Sequence, residues 1–403
     1  MSIVVATPQI GSSPKSVSCS FVFDEVHRLA KKGVNVHVVN EVQGGTSIDN
    51  GVYFHGLKKW VDVGAVVSTI KNLHTYPPIS LMRRPASIYW ENLLARNIIE
   101  VVVDCKSDLI HAHFAYPEGV AGLLAKRETK RPLIVMLHGD DILVEPQNHY
   151  GLRLSKSVDT SIKWVLNGAD LVIAASNATY NEACRIVKET KKVHLVPNAV
   201  DTEKFNPSLD CSWVKKKLNI ENCSVIFALA SHSPVHGLEY LIKAVPIVTK
   251  EKDDVVFVIG GEGSLRTFHE QLAAKLGVKE KVKFVGLISR NQTPYYFAAS
   301  DMLVVPSLQM AFGIVVSEAM ACGKPVISSR VSGALDQIID GTNGFLIKPQ
   351  SPAEIAEKIL WLLNNPISAK RMGMRGREIV EKKFNMDTRI EDILSLYREL
   401  LEE

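Results

Sequence analysis

Residues 1–40 read MSIVVATPQI GSSPKSVSCS FVFDEVHRLA KKGVNVHVVN. Ile3-Val4-Val5-Ala6 is a short apolar run, the pattern of a strand covered on both faces. A loop containing Gly11 and several serines follows, from Thr7 to Lys15. Phe21, Val22, Val26, Leu29 and Ala30 then recur at helical spacing, and Gly33 supplies a C-terminal stop. Val34, Val36, Val38 and Val39 form the next strand. A β-α-β unit is complete within forty residues, and such a unit builds a parallel sheet.

The rhythm continues outward from this unit. Asp108–His113 reads as a strand, Gly119–Lys126 as a helix, and Pro132–Leu137, Ala169–Ala174 and Val193–Val196 as further strands. Only Leu57–Trp90 resists, where Lys58, Lys59, Trp60, Arg83, Arg84, Tyr89 and Trp90 interrupt the apolar pattern. Pro197-Asn198-Ala199-Val200-Asp201 is a turn-rich break. Beyond it the plan repeats, with strands at Val225–Ala230, Val255–Gly260, Val282–Val285, Met302–Pro306 and Pro325–Ser328. Ser351-Pro352-Ala353-Glu354 reads as a capping box with proline at the first helical position. Two α/β domains with doubly wound parallel, Rossmann-like sheets are expected, and such sheets bind ligands at the carboxyl ends of their strands. The 403 residues suit two such domains better than one. We place them at 1–198 and 199–383, with a last helical segment at 384–403.

Charge is distributed unevenly. Residues 1–200 hold 22 Lys+Arg against 18 Asp+Glu, and residues 201–403 hold 25 of each. The first half also carries most of the histidines, a bias that suits an anionic acceptor or a membrane surface. No basic-then-apolar leader precedes the first strand, and no run reaches the ~18–20 apolar residues of a spanning helix. Six scattered cysteines, Cys19, Cys105, Cys184, Cys211, Cys223 and Cys322, form no C-x-x-C pair. They read as reduced thiols of a cytoplasmic protein, without metal-site spacing among them. The G-x-G-x-x-G fingerprint is missing after the first strand, which argues against a nicotinamide enzyme.

The most informative segment runs Pro306-Ser307-Leu308-Gln309-Met310-Ala311-Phe312-Gly313-Ile314-Val315-Val316-Ser317-Glu318-Ala319-Met320-Ala321-Cys322-Gly323-Lys324-Pro325-Val326. It resembles the donor-site signature of the retaining GT-B glycosyltransferases of family four, P-S-x-x-E-x-F-G-x-x-x-x-E-A-M-A-x-G-x-P-V. Gly313 permits close backbone approach to an anion. Ile314 and Val315 open a helix whose free N–H groups and dipole favour phosphate. Glu318, one turn in, suits a ribose diol.

Other segments extend the likeness over nearly the whole chain. His111-Ala112-His113-Phe114-Ala115-Tyr116-Pro117-Glu118-Gly119 is similar to the family's N-terminal core strand and loop. Leu137-His138-Gly139-Asp140-Asp141 resembles its H-G-x-D turn, and Pro197–Asp201 its P-N-G-V-D turn. Gly260-Gly261-Glu262-Gly263 is similar to its glycine loop, and Phe284-Val285-Gly286 to the strand end that cradles the base through main-chain atoms. Phe384–Leu401 resembles a last helix that crosses back onto the N-terminal domain. The resemblance implies a GT-B fold and retaining transfer of a hexose-type sugar from a nucleotide-diphosphate sugar to a glycan, lipid-linked glycan or small molecule. No metal or other cofactor is implied, and no nucleic acid. The expected site is a cytoplasmic one, with a peripheral membrane contact through the N-terminal domain.

The likeness also assigns residues. His138 and Glu318 take catalytic places, with the His138 main-chain carbonyl facing the reacting carbon. Asp141 braces its turn. Gly11 and Ser12 lie on the loop offered to phosphate or acceptor. Donor contacts fall on Ser231, His236, Gly261, Glu262, Val285, Gly286, Met310, Phe312, Gly313, Ile314, Val315 and Glu318.

Three positions depart from the pattern. The family's G-R-x-x-x-x-K-G loop is here Ala230-Ser231-His232-Ser233-Pro234-Val235-His236-Gly237. Ser231 stands for the arginine, and Val235 or His236 for the lysine. Met310 stands for the first glutamate of the E-x7-E pair. A hydrogen bond to a charged group contributes ~1.5–3 kcal/mol, so losing two contacts costs roughly 3–6 kcal/mol, or about two to four decades in rate. His232, His236 and Arg266 are the candidates to compensate. A catalytically inactive binding or partner subunit is therefore the rival reading, and a GT-B epimerase, which needs acid/base groups in the site, a weaker one.

Overall fold

The computed structural model describes residues 1–8, 20–57 and 62–402. Gly11 and Ser12 lie outside the described residues. Two compact units are present: Met1–Asn198 together with Asp387–Glu403, and Ala199–Met386.

The first unit is built on strands β1 (Ser2–Thr7), β2 (Asn35–Gln43), β3 (Thr46–Asp49), β4 (Val52–Leu57), β5 (Leu109–His113), β6 (Leu133–Leu137), β7 (Leu171–Ala174) and β8 (Val193–Leu195). Its helices are α1 (Ser20–Lys31), α2 (Val63–Asn72), α3 (Pro85–Asp104), α4 (Glu118–Thr129), α5 (Lys156–Gly168) and α6 (Asn177–Ile186). The sheet order is β3-β4-β2-β1-β5-β6-β7-β8. Central β1 pairs in parallel with both β2 and β5, and Ile3–Ala6 are fully buried, as covering both sheet faces requires.

The sheet is not wholly parallel. β3 runs antiparallel to β4, joined by Asn50 and Gly51 at φ +46° and +84°. Both residues are left-handed, as in the two-residue turn that matches strand twist, and Asn-Gly is its favoured pair. The irregular stretch holds α2 and the twenty-residue α3, which starts on Pro85 at a first-turn position. Its periodicity is blurred because Glu91 and Asn92 are buried among Leu93, Leu94 and Ile98.

The second unit has strands β9 (Ser224–Leu229), β10 (Val255–Gly260), β11 (Val282–Gly286), β12 (Met302–Val305), β13 (Val326–Ser329) and β14 (Gly344–Ile347). Its helices are α7 (Ser212–Leu218), α8 (Leu238–Glu251), α9 (Arg266–Lys275), α10 (Thr293–Ala299), α11 (Ile314–Ala321), α12 (Ser332–Leu335), α13 (Pro352–Asn364) and α14 (Pro366–Lys383). The order is β11-β10-β9-β12-β13-β14, all neighbours parallel. Numbered within the unit this is 3-2-1-4-5-6, the dinucleotide-fold order, with its switch point between β9 and β12. At α13 only half of the anticipated box forms. Ser351 accepts from the Glu354 N–H, while the Glu354 carboxylate accepts from Lys348 N at 2.9 Å.

The last helix, α15 (Met386–Glu402), contributes its length from Asp387 onward to the first unit. Ile390, Ile393 and Tyr397 on it are fully buried.

Candidate active site

Four loops meet at the carboxyl edge of the second sheet, and main-chain hydrogen bonds lace them. Ala230 N donates to Gly260 O at 3.1 Å, His232 N to Glu262 O at 2.9 Å, and Gly261 N to Gly286 O at 2.8 Å. Across the switch point Leu308 N donates to Val235 O at 2.7 Å. The glycines follow from this closeness. A Cβ on Gly261 (φ +121°) would strike Ala230 O, and one on Gly237 (φ +60°) would strike Pro306 O. Ser231, His236, Gly261, Glu262 and Gly313 on the loops, Val285 and Gly286 at the end of β11, and Ile314 and Val315 at the start of α11 are thus gathered at one edge.

The amino end of α11 closes that edge. Gly313 precedes it at φ +81°, and no side chain caps the helix. Buried Gln337 donates from Nε2 to the carbonyls of Phe312, Gly313 and Gly333, and accepts from Ser317 Oγ at 2.6 Å. It fixes the turn by its acceptors. The helix donors stay turned outward, the arrangement that receives an anion. Glu318, the fifth residue of α11, is half-buried.

Several side chains are placed differently from the sequence expectation. Met310 is 9% exposed and belongs to the apolar core with Phe312, Val316 and Val331. A Cβ on Gly313 would overlap its sulfur. The thioether has gone into the core because it has no charge to solvate. Phe312 is also internal, edge-on to Phe384 at 5.4 Å, so its position acts through the backbone. Burial works against a positive charge on both histidines of this loop. Burial, with Arg266 beside it, lowers His232 to about 4, and its Nδ1 faces His269 Nδ1 at 2.8 Å. Burial lowers His236 as well. Arg266 is engaged with Glu270 at 2.6 Å and with the Gly261 and Phe284 carbonyls at 3.3 Å. It clamps two loops together. Ser231 is exposed, its hydroxyl 3.3 Å from Ser233 Oγ.

In the first unit, His138 ends a buried polar chain that sequence reading missed. His138 Nε2 lies 3.0 Å from His113 Nδ1. His113 Nε2 lies 3.4 Å from Glu25 Oε1, and Glu25 Oε2 accepts from Arg389 Nη2 at 2.8 Å. Arg389 also donates to the carbonyls of Val196 and Pro197 at 2.9 and 2.6 Å. Glu25, His113 and Arg389 are all under 5% exposed. Burial pushes the Glu25 carboxyl up, but Arg389 and His113 outweigh it and hold it well below the usual carboxylate range. Burial, His113 and Arg389 together keep His138 neutral, far below the usual imidazole range. Asp141 accepts from Ala115, His138 and Gly139 N–H groups at 2.9–3.1 Å, bracing the turn. A signal for the missed pair existed. Glu25 and Arg389 each interrupt an apolar helical stripe, Val22-Val26-Leu29 and Ile390-Ile393-Tyr397, where a charge needs a partner.

With this geometry in hand, comparison with known proteins is decisive. The model for glycosyl transferases group 1 matches residues 212–379, and that for glycosyltransferase family 4 matches residues 20–204. The chain belongs to this glycosyltransferase family. An uncharacterised glycosyltransferase of Methanocaldococcus jannaschii is 27% identical to it over 91% of this chain and 95% of the relative. The N-acetyl-alpha-D-glucosaminyl L-malate synthase of Bacillus anthracis is 26% identical over 93% and 91%. Among solved structures, HepE of Anabaena in complex with UDP and glucose superposes with a TM-score of 0.77 at 20% identity, covering 98% of this chain and 99% of that one. The fold of this glycosyltransferase is therefore GT-B.

Proposed function

We propose that this glycosyltransferase moves a hexosyl group from a nucleoside-diphosphate sugar to a hydroxyl acceptor, with retention and without a metal ion. The acceptor class is a glycan, a lipid-linked glycan or a small molecule. The observation that carries the reading is the backbone cradle at the β9/β12 switch point, with Gly313 and the uncapped end of α11 beside it. The diphosphate rests on that helix end. Glu318 accepts from the ribose diol, and main-chain atoms of Val285 and Gly286 take the base. The C1–O bond to phosphate breaks as the acceptor oxygen bonds C1 on the same face, and the acceptor's hydroxyl proton passes to the departing diphosphate oxygen.

His138 Nε2 is engaged by His113 Nδ1 at 3.0 Å, which turns His138 Nδ1 away from the buried chain. That atom is buried and has no partner among the described residues. It is suited to hydrogen-bond a sugar hydroxyl, a role that supports orientation of the transferred sugar.

The replaced cations favour a second reading, a donor-binding subunit without turnover. One experiment separates the two. Nucleotide sugars are screened for thermal stabilisation, and any stabilising donor is followed by NMR for nucleoside diphosphate and for the anomeric configuration of the product. Retained product without added metal and with EDTA present supports transfer. Binding without product supports the subunit, and an inverted product or manganese-dependent binding overturns the proposal.

We assign the protein to the cytoplasm, at the inner membrane face. No described helix is long and apolar enough to cross a membrane. α2 turns Val63, Val66, Val67 and Ile70 to solvent, with Lys71 exposed in its last turn. An apolar row with a cation at its end suits an anionic bilayer. Co-sedimentation with anionic but not neutral vesicles, lost in Val67→Glu/Ile70→Glu, is the expected result.

A further inference from the structure

Away from the carboxyl edges, three ligand atoms of the first unit converge. His37 Nδ1 on β2 lies 3.0 Å from His55 Nε2 on β4 and 3.3 Å from Sγ of Cys105, which caps α3. All three atoms lie within 4.8 Å of one another. His37 pairs with Tyr53 and His55 with Val39 across the parallel β2–β4 ladder. The two histidines are therefore two residues apart on one face, and the end of α3 brings the thiol over them. Cys105 lies in the connection into β5, at the amino end of the sheet.

Hydrogen bonding alone uses this arrangement poorly. A neutral imidazole nitrogen carries one proton or one lone pair, yet His37 Nδ1 faces two neighbours at bonding distance. An ion at the common point bonds all three atoms. Ligand pairs on a tetrahedral zinc ion at ~2.0–2.1 Å to nitrogen and ~2.3 Å to sulfur stand about 3.3–3.6 Å apart, a little wider than the 3.0 and 3.3 Å from His37 Nδ1 to its two neighbours. The surrounding contacts prepare the ligands. Thr46 Oγ1 is 3.1 Å from His55 Nδ1, and as acceptor of Nδ1–H it directs the Nε2 lone pair toward the cluster. The Tyr53 ring stacks on His37 at 4.7 Å and holds its plane. His55 and Cys105 are half-buried, so an ion has access from solvent.

We propose that His37, His55 and Cys105 form a binding site for a zinc-type divalent transition-metal ion, with the fourth position taken by water. Binding releases the thiol proton and places a thiolate on the metal. Thiolate and imidazole select zinc, cobalt or copper over magnesium and calcium. The position, on strands and a helix end opposite the ligand-binding edge, makes the ion a clip between β2, β4 and α3. The wide spacing of the three residues in sequence, 17 and 49 residues between them, hides the site from motif reading.

The test uses the full chain, stripped with chelator and titrated with Zn2+ by calorimetry, and with Co2+ by absorption. One equivalent is expected, with a cobalt–thiolate charge-transfer band and a zinc-dependent rise in Tm. Cys105→Ser should abolish the band and weaken zinc about tenfold or more, and His55→Gln should weaken it similarly. Transferase turnover of Cys105→Ser, a residue outside the donor and His138 machinery, should stay within about twofold. The proposal is overturned if no stoichiometric binding occurs, or if both variants bind zinc as tightly as the parent. Either result leaves the transferase reading untouched, since that rests on other residues.

Discussion

The two units prepare their chemistry in opposite ways. The second unit presents main chain: glycines at Gly237, Gly261 and Gly313, laced loops, and an uncapped helix end. At the family's cation positions it carries Ser231 and a histidine, His236, whose charge burial disfavours. The first unit presents a side chain, His138, kept neutral chiefly by burial, at the end of a chain that leads to a buried charge pair. A main-chain cradle tolerates loss of nearby side chains, because the N–H groups remain wherever the backbone remains. A side chain held by a buried ion pair does not, since removing one partner strands the other charge.

The largest effect is expected where that chain is cut. Glu25→Ala leaves Arg389 buried without its carboxylate and should cost about 3–5 kcal/mol, read by urea unfolding. The folded Glu25 binds a proton less readily than the unfolded one. Its contribution is therefore present above the ordinary carboxylate range and is lost as pH falls through the depressed folded value. Acid unfolding should begin at higher pH in Glu25→Gln than in the parent. Coincident acid transitions would show that the pair does not set the first unit's stability.

Next in size is the cradle itself. Gly261→Ala forces a Cβ onto Ala230 O at a left-handed φ, and should weaken nucleoside-diphosphate binding by tenfold or more while costing about 1–3 kcal/mol. Unaltered affinity would remove this loop from the site. Glu318→Ala should leave the fold intact and weaken nucleotide about tenfold to a hundredfold, the value of ~1.5–3 kcal/mol for charged hydrogen bonds. A variant that binds as the parent does would break the donor assignment.

The smallest effect is an expected flatness. Burial, with Arg266 beside it, lowers His232 to about 4, so it gains no charge between pH 6 and 8, and burial lowers His236 as well. Affinity for a nucleoside-diphosphate sugar, whose phosphates do not titrate there, should change less than about twofold. Tighter binding toward pH 6 would mean that a histidine replaces the absent cations after all. Ser231→Arg with His236→Lys supplies those cations directly and should tighten binding by calorimetry.

Much of this protein was determined by local sequence. Ile3–Ala6, Val255–Gly260 and the alternating helices specify two doubly wound sheets because apolar runs of that length must be covered on both faces. The segment from Pro306 to Val326 specifies a glycine turn opening a helix, since Gly313 alone there accepts φ +81° beside Met310. The Asn50-Gly51 pair carried a turn signal as well, but the antiparallel β3 beside it was not anticipated. Tertiary structure decided the rest. It sent Met310 inward, where a sulfur without charge packs better than it solvates. It set Arg389 on Glu25, 364 residues away in the chain, and brought Cys105 to His37 and His55. Such meetings have no sequence period, because they depend on which elements the sheet order makes neighbours, and on the requirement that a buried charge or lone pair find its partner there.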